Sequence, residues 1–189
     1  MPRPPILPTI DWRAVFHSGQ PYEAWLAAAE NVNHANAMDE NRRALTLDPI
    51  ILGVLNAMPR PVHVVAIAED WCGDVVRHVP VLARMADESD NLLVRFVTRM
   101  QHKEVFARFL TNGGEAIPKF VFLNDKFVEC GNWGPMPDAC RELIARGKAS
   151  GNMAAAREKV AALYNADPGK RAVFAELTRL VDIASTIAP

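Results

Sequence analysis

Cysteine is scarce in this chain. Three occur in 189 residues, Cys72, Cys130 and Cys140, an odd number at wide spacing. That argues against a disulfide framework and suits no zinc site, whose ligands recur at short fixed intervals. The five His residues are scattered, so neither a metal nor a cofactor is expected. Charge of one sign is also lacking. The 21 Lys and Arg against 22 Asp and Glu give a net charge of −1, with no basic block, which speaks against a nucleic-acid surface or an acidic-membrane partner. No apolar run approaches the roughly 20 residues that span a bilayer. Residues 1–8 hold four prolines and no apolar stretch, unlike a secretory signal. A soluble protein of the cytoplasm, where thiols stay reduced, is the expectation.

What the chain does hold is apolar residues, half of the total, ample for one packed domain with embellishments. The first ten residues suggest an extended arm. Asp11 is placed to cap a short helix through about Ser18, which Gly19-Gln20-Pro21 ends. Beyond Pro21, Trp25, Leu26, Ala29 and Val32 recur at helical spacing, predicting a helix to Asn36 or further. Asn31, Asn33, His34 and Asn36 would form its solvated face. Asp48-Pro49 starts another helix, with Ile50, Ile51, Val54, Leu55 and Met58 as its stripe, and Pro59-Arg60-Pro61 stops it.

Residues 62–68 are apolar almost throughout, as in a central strand buried on both faces. The pattern then predicts a helix over 72–86, a strand over 92–98 and a short helix over 103–110, ended by Asn112-Gly113-Gly114. Strands over 120–123 and 127–130 flank a turn at Asn124-Asp125-Lys126, and a helix over 136–146 follows. The tail reads as two helices, 152–164 and 170–187, separated by Asp167-Pro168-Gly169.

The first strand leads into Glu69-Asp70-Trp71-Cys72-Gly73-Asp74, so one cysteine is presented where a helix begins. Backbone N–H groups at a helix N-terminus favour an anion, and the thiolate is the attacking form of cysteine. The Asp74 carboxylate opposes a second negative charge, and Arg77 or His78 would offset it if directed at the sulfur. Cys130 and Cys140 read as packed thiols and His63 as a hydrogen-bonded core histidine. Pro80 reads as a helix kink.

Cys72 at the helix start, Pro80 eight residues later, Ile117-Pro118-Lys119 opening a strand and the closing Trp133-Gly134 together resemble the thioredoxin superfamily. More narrowly, residues 69–74, 111–114, 117–119 and 133–135 are similar to the motifs of a little-characterised bacterial thioredoxin-like family with a single active-site cysteine. The resemblance implies an α/β fold, a central mixed sheet flanked by helices, over residues 45–146. Helical extensions would occupy 1–44 and 147–189, the second packed on the core. The first strand of a complete thioredoxin has only Ala44 to Leu47 available, so it is expected to be short or absent.

The resemblance further implies a cis Pro118 facing Cys72, with Ile117 offering its N–H and C=O to an extended peptide or a thiol. Cys72 would be the catalytic nucleophile. Trp71, Gly73, Asp74, Ile117, Pro118 and Trp133 would meet the partner, a protein disulfide or a low-molecular-weight thiol, with the two tryptophans as an apolar platform. Two positions depart from dithiol thioredoxins. Val75 stands where the resolving cysteine would be, and Ala66 where a buried aspartate would be. Monothiol exchange at Cys72, resolved by an external thiol, is the reading these departures leave. Two alternatives stay open: a non-catalytic thioredoxin-fold binding module, and a glutathione-dependent iron–sulfur carrier, which Asp74 beside the sulfur disfavours. The oligomeric state is not legible.

Overall fold

The computed structural model describes residues 7–111 and 113–187. The first six residues of the expected arm, Asn112 of the expected helix terminator and the last two residues of the expected C-terminal extension lie outside that range. No helix of the described residues is long and apolar enough to cross a membrane.

Strand β1 (Val62–Ile67) is the centre of the molecule, and all of it except His63 is buried. It pairs in parallel with β2 (Leu92–Val97) and antiparallel with β3 (Lys119–Leu123), and β3 pairs antiparallel with β4 (Glu129–Trp133). The sheet order is β2-β1-β3-β4, a mixed sheet as expected. Residues 45–47 form no strand. At the outer edge of β2, Gln20 instead exchanges both backbone hydrogen bonds with Phe96, at 2.9 and 2.8 Å. A Cβ on the preceding Gly19 would lie 2.9 Å from that of Arg95, so only glycine lets the chain come this close.

Side chains alternate across a strand, which separates two faces. On one, Phe120 stacks on Trp133 at 5.2 Å, and Trp133 meets His78 of α5 (Gly73–Ala86). On the other, His63 meets Phe16 of α1 (Trp12–Ser18), the helix Asp11 caps. The helix expected from Pro21 onward is two helices, α2 (Tyr22–Ala27) and α3 (Val32–Ala44). The break falls at Asn31, whose side chain accepts the His34 N–H at 3.1 Å and starts a new helix. Helix α4 (Pro49–Asn56) begins at its Asp48 cap as expected.

After β2, α6 (Lys103–Phe106) passes into a 3-10 turn, Ala107–Phe109. The strand expected over 127–130 begins two residues later, at Glu129. The Asn124 side chain accepts the N–H groups of Lys126 and Val128, and Phe127 takes a positive φ of 61°, so pairing resumes only after a wider loop. Phe127, apolar enough to read as strand, stacks on His63 at 4.1 Å.

The last three helices are α7 (Asp138–Ser150), α8 (Met153–Ala166) and α9 (Arg171–Thr186). Helix α9 lies against β4, β3, β1, α4 and α5, burying Val173, Phe174, Leu177, Val181 and Ala184. Helix α7, which directly follows the sheet, packs chiefly on α8 and buries only Cys140 and Gly147. The sheet is therefore closed by the C-terminal helix. At roughly 1.5–3 kcal/mol for each large apolar side chain withdrawn from water, α9 belongs to the core energetically as well as spatially.

Candidate active site at the start of helix α5

Cys72 is the N-cap of α5, with extended backbone at φ −87° and ψ 124°. Its N–H donates to Glu69 O at 3.2 Å and its carbonyl accepts from Val76 N at 3.1 Å, which fixes the turn between β1 and the helix. The thiol is half-buried. Its Sγ lies 3.5 Å from the carbonyl oxygen of Ile117, to which it donates. The Ile117–Pro118 bond is cis, as is Gly134–Pro135. Behind it, Gly134 has φ +117°, and a Cβ there would fall 2.0 Å from Pro118 O. The strand-opening proline thus sits against a position that admits only glycine. Cys72, Ile117 and Pro118, far apart in sequence, are brought together as expected.

Trp71 is 55% exposed, yet it is fixed. Its indole N–H donates to Glu69 Oε2 at 2.8 Å, and the Arg99 guanidinium lies 5.2 Å over the ring. Arg99 in turn binds Glu69 at 3.1 Å and Glu115 at 2.5 Å. Beside Trp71 opens a cleft of about 480 Å³, floored by Trp25 and rimmed by Glu30, Asp70 and Met100. Asp70 is held from the other side: its Oδ2 accepts the Asn31 N–H at 2.6 Å, and His34 Nδ1 lies 2.7 Å from its carbonyl oxygen. Asn31 and His34, expected on a solvated face, grip the loop that carries Cys72.

Trp133 is corrected more sharply. It is 2% exposed, stacked on Phe120, with its N–H donated to Glu176 of α9 at 2.6 Å. It is a core residue and offers a partner no surface; of the two tryptophans expected there, only Trp71 is exposed. Gly73 is exposed at the first turn of α5, and a Cβ there would meet only open space. Val75, three residues after the cysteine, is fully buried, and Ala66 is buried in β1.

Asp74 is half-buried. Burial raises its carboxyl above the usual range, and the Arg77 guanidinium pulls it back. Arg77 also lies 4.2 Å over the Tyr164 ring. His78 cannot share the offsetting role the sequence allowed it. It is fully buried against Trp133 and Tyr164, and burial, with Arg77 and Lys170 nearby, pushes its pKa down to about 3. It is neutral at ordinary pH.

The other two cysteines lie in different surroundings. Burial raises both thiols above their ordinary value. Cys130 sits beside the β3–β4 bulge, where β3 pairs with the His63 end of β1. Cys72 follows the opposite end of β1, so the two cysteines lie toward opposite ends of the sheet. Cys140 is 2% exposed on α7, beside Tyr164. All three cysteines are free. Among the described residues no group of three or more His, Cys, Asp or Glu is placed to hold a metal ion. His63, stacked on Phe127 with Nδ1 3.2 Å from Asn124 O, is hydrogen-bonded as expected but only half-buried.

A family model described as thioredoxin matches residues 19–155, a span that includes α2 and α3. Two solved structures share the fold. One is a protein of unknown function from Pseudomonas aeruginosa, at TM-score 0.70 and 15% identity, covering 92% of this chain and 98% of that one. The other is an HIV epitope scaffold, at TM-score 0.69 and 14% identity, with 92% and 98% covered. No match was found among curated proteins.

Proposed function

The chain belongs to the thioredoxin family, and from that premise we propose that Cys72 is the nucleophile of monothiol–disulfide exchange. The observation that carries this reading is the position of the half-buried thiol, at the N-cap of α5 and 3.5 Å from Ile117 O. A disulfide lying along Ile117 and Pro118 would meet the sulfur at an open helix N-terminus, with Trp71 as its apolar contact. Cys72, as thiolate, attacks one sulfur of a disulfide. The new bond joins Cys72 to that sulfur, and the other leaves as a thiolate that takes a proton from water.

Val75 offers no second thiol, and both remaining cysteines are made less acidic by burial. The mixed disulfide is therefore resolved by an external thiol. Its thiolate attacks the partner's sulfur, releases Cys72 as a thiolate and leaves with the partner as a new disulfide. The sum exchanges one disulfide for another and consumes no cofactor. The partner is a protein disulfide or a low-molecular-weight disulfide, and the reducing cytoplasm supplies the resolving thiol. Cys72→Ser tests this in a thiol-coupled reduction assay with a small mixed disulfide. The expected rate is that of the uncatalysed background, and a wild-type rate would overturn the proposal.

A second reading, a binding module of the same fold without turnover, is favoured by Trp71. An exposed indole fixed by Glu69 and Arg99 beside a cleft is what a docking surface needs. That reading expects partner binding to survive Cys72→Ser and to fail with Trp71→Ala.

A further inference from the structure

Lys119, the first residue of β3, carries its side chain on the sheet face away from α5 and is only 4% exposed. It lies in a cleft of about 450 Å³. Arg108 enters from the 3-10 turn, Thr111 from the loop beyond it, Glu129 and Asn132 from β4, and Arg141 from α7. None of these residues belongs to the arrangement around Cys72.

The cleft has donors in excess. Lys119 Nζ donates to Gly134 O at 2.6 Å, which occupies one of its three protons. No carboxylate of the described residues lies within ion-pair distance of it. Arg141 pairs through Nη2 with Asp138, but its Nε is buried without a partner, and so is the hydroxyl of Thr111. Arg108 gives one nitrogen to the Pro8 carbonyl. Against these three cations stand Glu129 on the wall and Asp138 behind Arg141. Burial raises the Glu129 carboxyl, with Arg108 as the opposing influence.

Enclosing an ammonium with a single acceptor is costly, because each unmet donor forfeits its hydration. Burial and the neighbouring Arg141 accordingly bring Lys119 down to about 8. The unmet groups are an ammonium, a guanidinium N–H and a hydroxyl. All can donate, and Lys and Arg together are suited to oxygen anions.

We propose that this cleft binds a small multivalent oxyanion of the phosphate class, held by Lys119 and Arg141 with the Thr111 hydroxyl as a further donor. The volume leaves room for a small molecule carrying the phosphate as well as for the free ion. The site lies on the opposite face of β3 from Phe120.

The test is an amide NMR titration of the full chain with inorganic phosphate at pH 7, where Lys119 keeps its proton, at constant ionic strength set by chloride. Saturable shifts centred on Thr111, Lys119 and Arg141 are expected. Arg141→Met should weaken binding about tenfold or more, the scale of one charge-assisted hydrogen bond. Lys119→Met should abolish it. Arg141 is only half-buried, so its variant decides the matter if Lys119→Met fails to fold. Shifts that never saturate, shifts that chloride reproduces, or wild-type binding by Arg141→Met would each overturn the proposal. A phosphate monoester binding more tightly than phosphate would identify the carried group as the ligand.

Discussion

The carboxylate of Asp70 accepts the backbone N–H of Asn31 at 2.6 Å, across 39 positions of sequence. The N–H belongs to the residue that caps α3, and the carboxylate to the residue two before Cys72. His34 adds a second tie, with Nδ1 2.7 Å from Asp70 O; since a carbonyl only accepts, that nitrogen carries the proton. The N-terminal helices thereby share in holding the loop that presents the thiol.

Asp70→Ala leaves the Asn31 N–H without its charged acceptor. A loss of about 1–3 kcal/mol in urea denaturation is expected, with faster amide exchange in the first turn of α3. Asp70→Asn keeps an oxygen there and should lose less. Equal losses in the two variants would show that the hydrogen bond is not what the carboxylate contributes.

His78 gives the fold an acid sensitivity. Its folded pKa is about 3 against an ordinary 6.5, through burial first and then Arg77 and Lys170. Between those values the unfolded chain binds a proton that the folded chain refuses. Stability from this group therefore falls as the pH drops from 6.5 toward 3, by at most about 1.4 kcal/mol per pH unit, and is level above 6.5. Asp74, Glu129 and Glu176, raised by burial, act in the opposite sense. The histidine is isolated by comparing wild type with His78→Phe, whose stability should fall less steeply over that window. Parallel pH profiles would contradict it.

Helix α9, rather than α7, closes the sheet, and the two can be weighed by truncating one leucine on each. Leu177→Ala, at a fully buried position, should cost roughly 2–5 kcal/mol. Leu143→Ala, half-buried on α7, should cost less than about half of that. The reverse order would return the role of core helix to α7.

Val75 occupies the place of a resolving thiol, one helical turn from Cys72. Residues three apart on a helix are neighbours, so Val75→Cys should oxidise to an intramolecular disulfide that non-reducing mass spectrometry detects as the loss of two hydrogens. It should then reduce disulfides with less external thiol. A variant that keeps both thiols free under mild oxidation would show the α5 N-terminus unsuited to dithiol chemistry.

Local chemistry made much of this fold legible. The apolar run at Val62, the caps at Asp11 and Asp48, the cysteine at the start of α5 and the proline opening β3 are each written in a few adjacent residues. What escaped depends on contacts between distant ones. The break before α3 turns on the Asn31 cap, and Asn31 and His34 look merely polar until Asp70 is beside them. Trp133 gave no sign whether its ring would face water or Phe120. Helices α7 and α9 both carry apolar stripes, and only the chain's path decides which reaches the sheet. Glu69 and Arg99 fix Trp71, but 30 positions apart in sequence nothing announced them as a pair.

The most direct test of the central claim is to treat the native protein with a small symmetrical disulfide, cystamine, and follow mixed-disulfide formation at each cysteine by peptide mass spectrometry. Cys72 should be modified first, to one equivalent, and released by added thiol. Cys130 and Cys140, whose thiols burial makes less acidic, should lag. A Cys72 that stays unmodified, or reacts no faster than the other two, would contradict its assignment as the nucleophile.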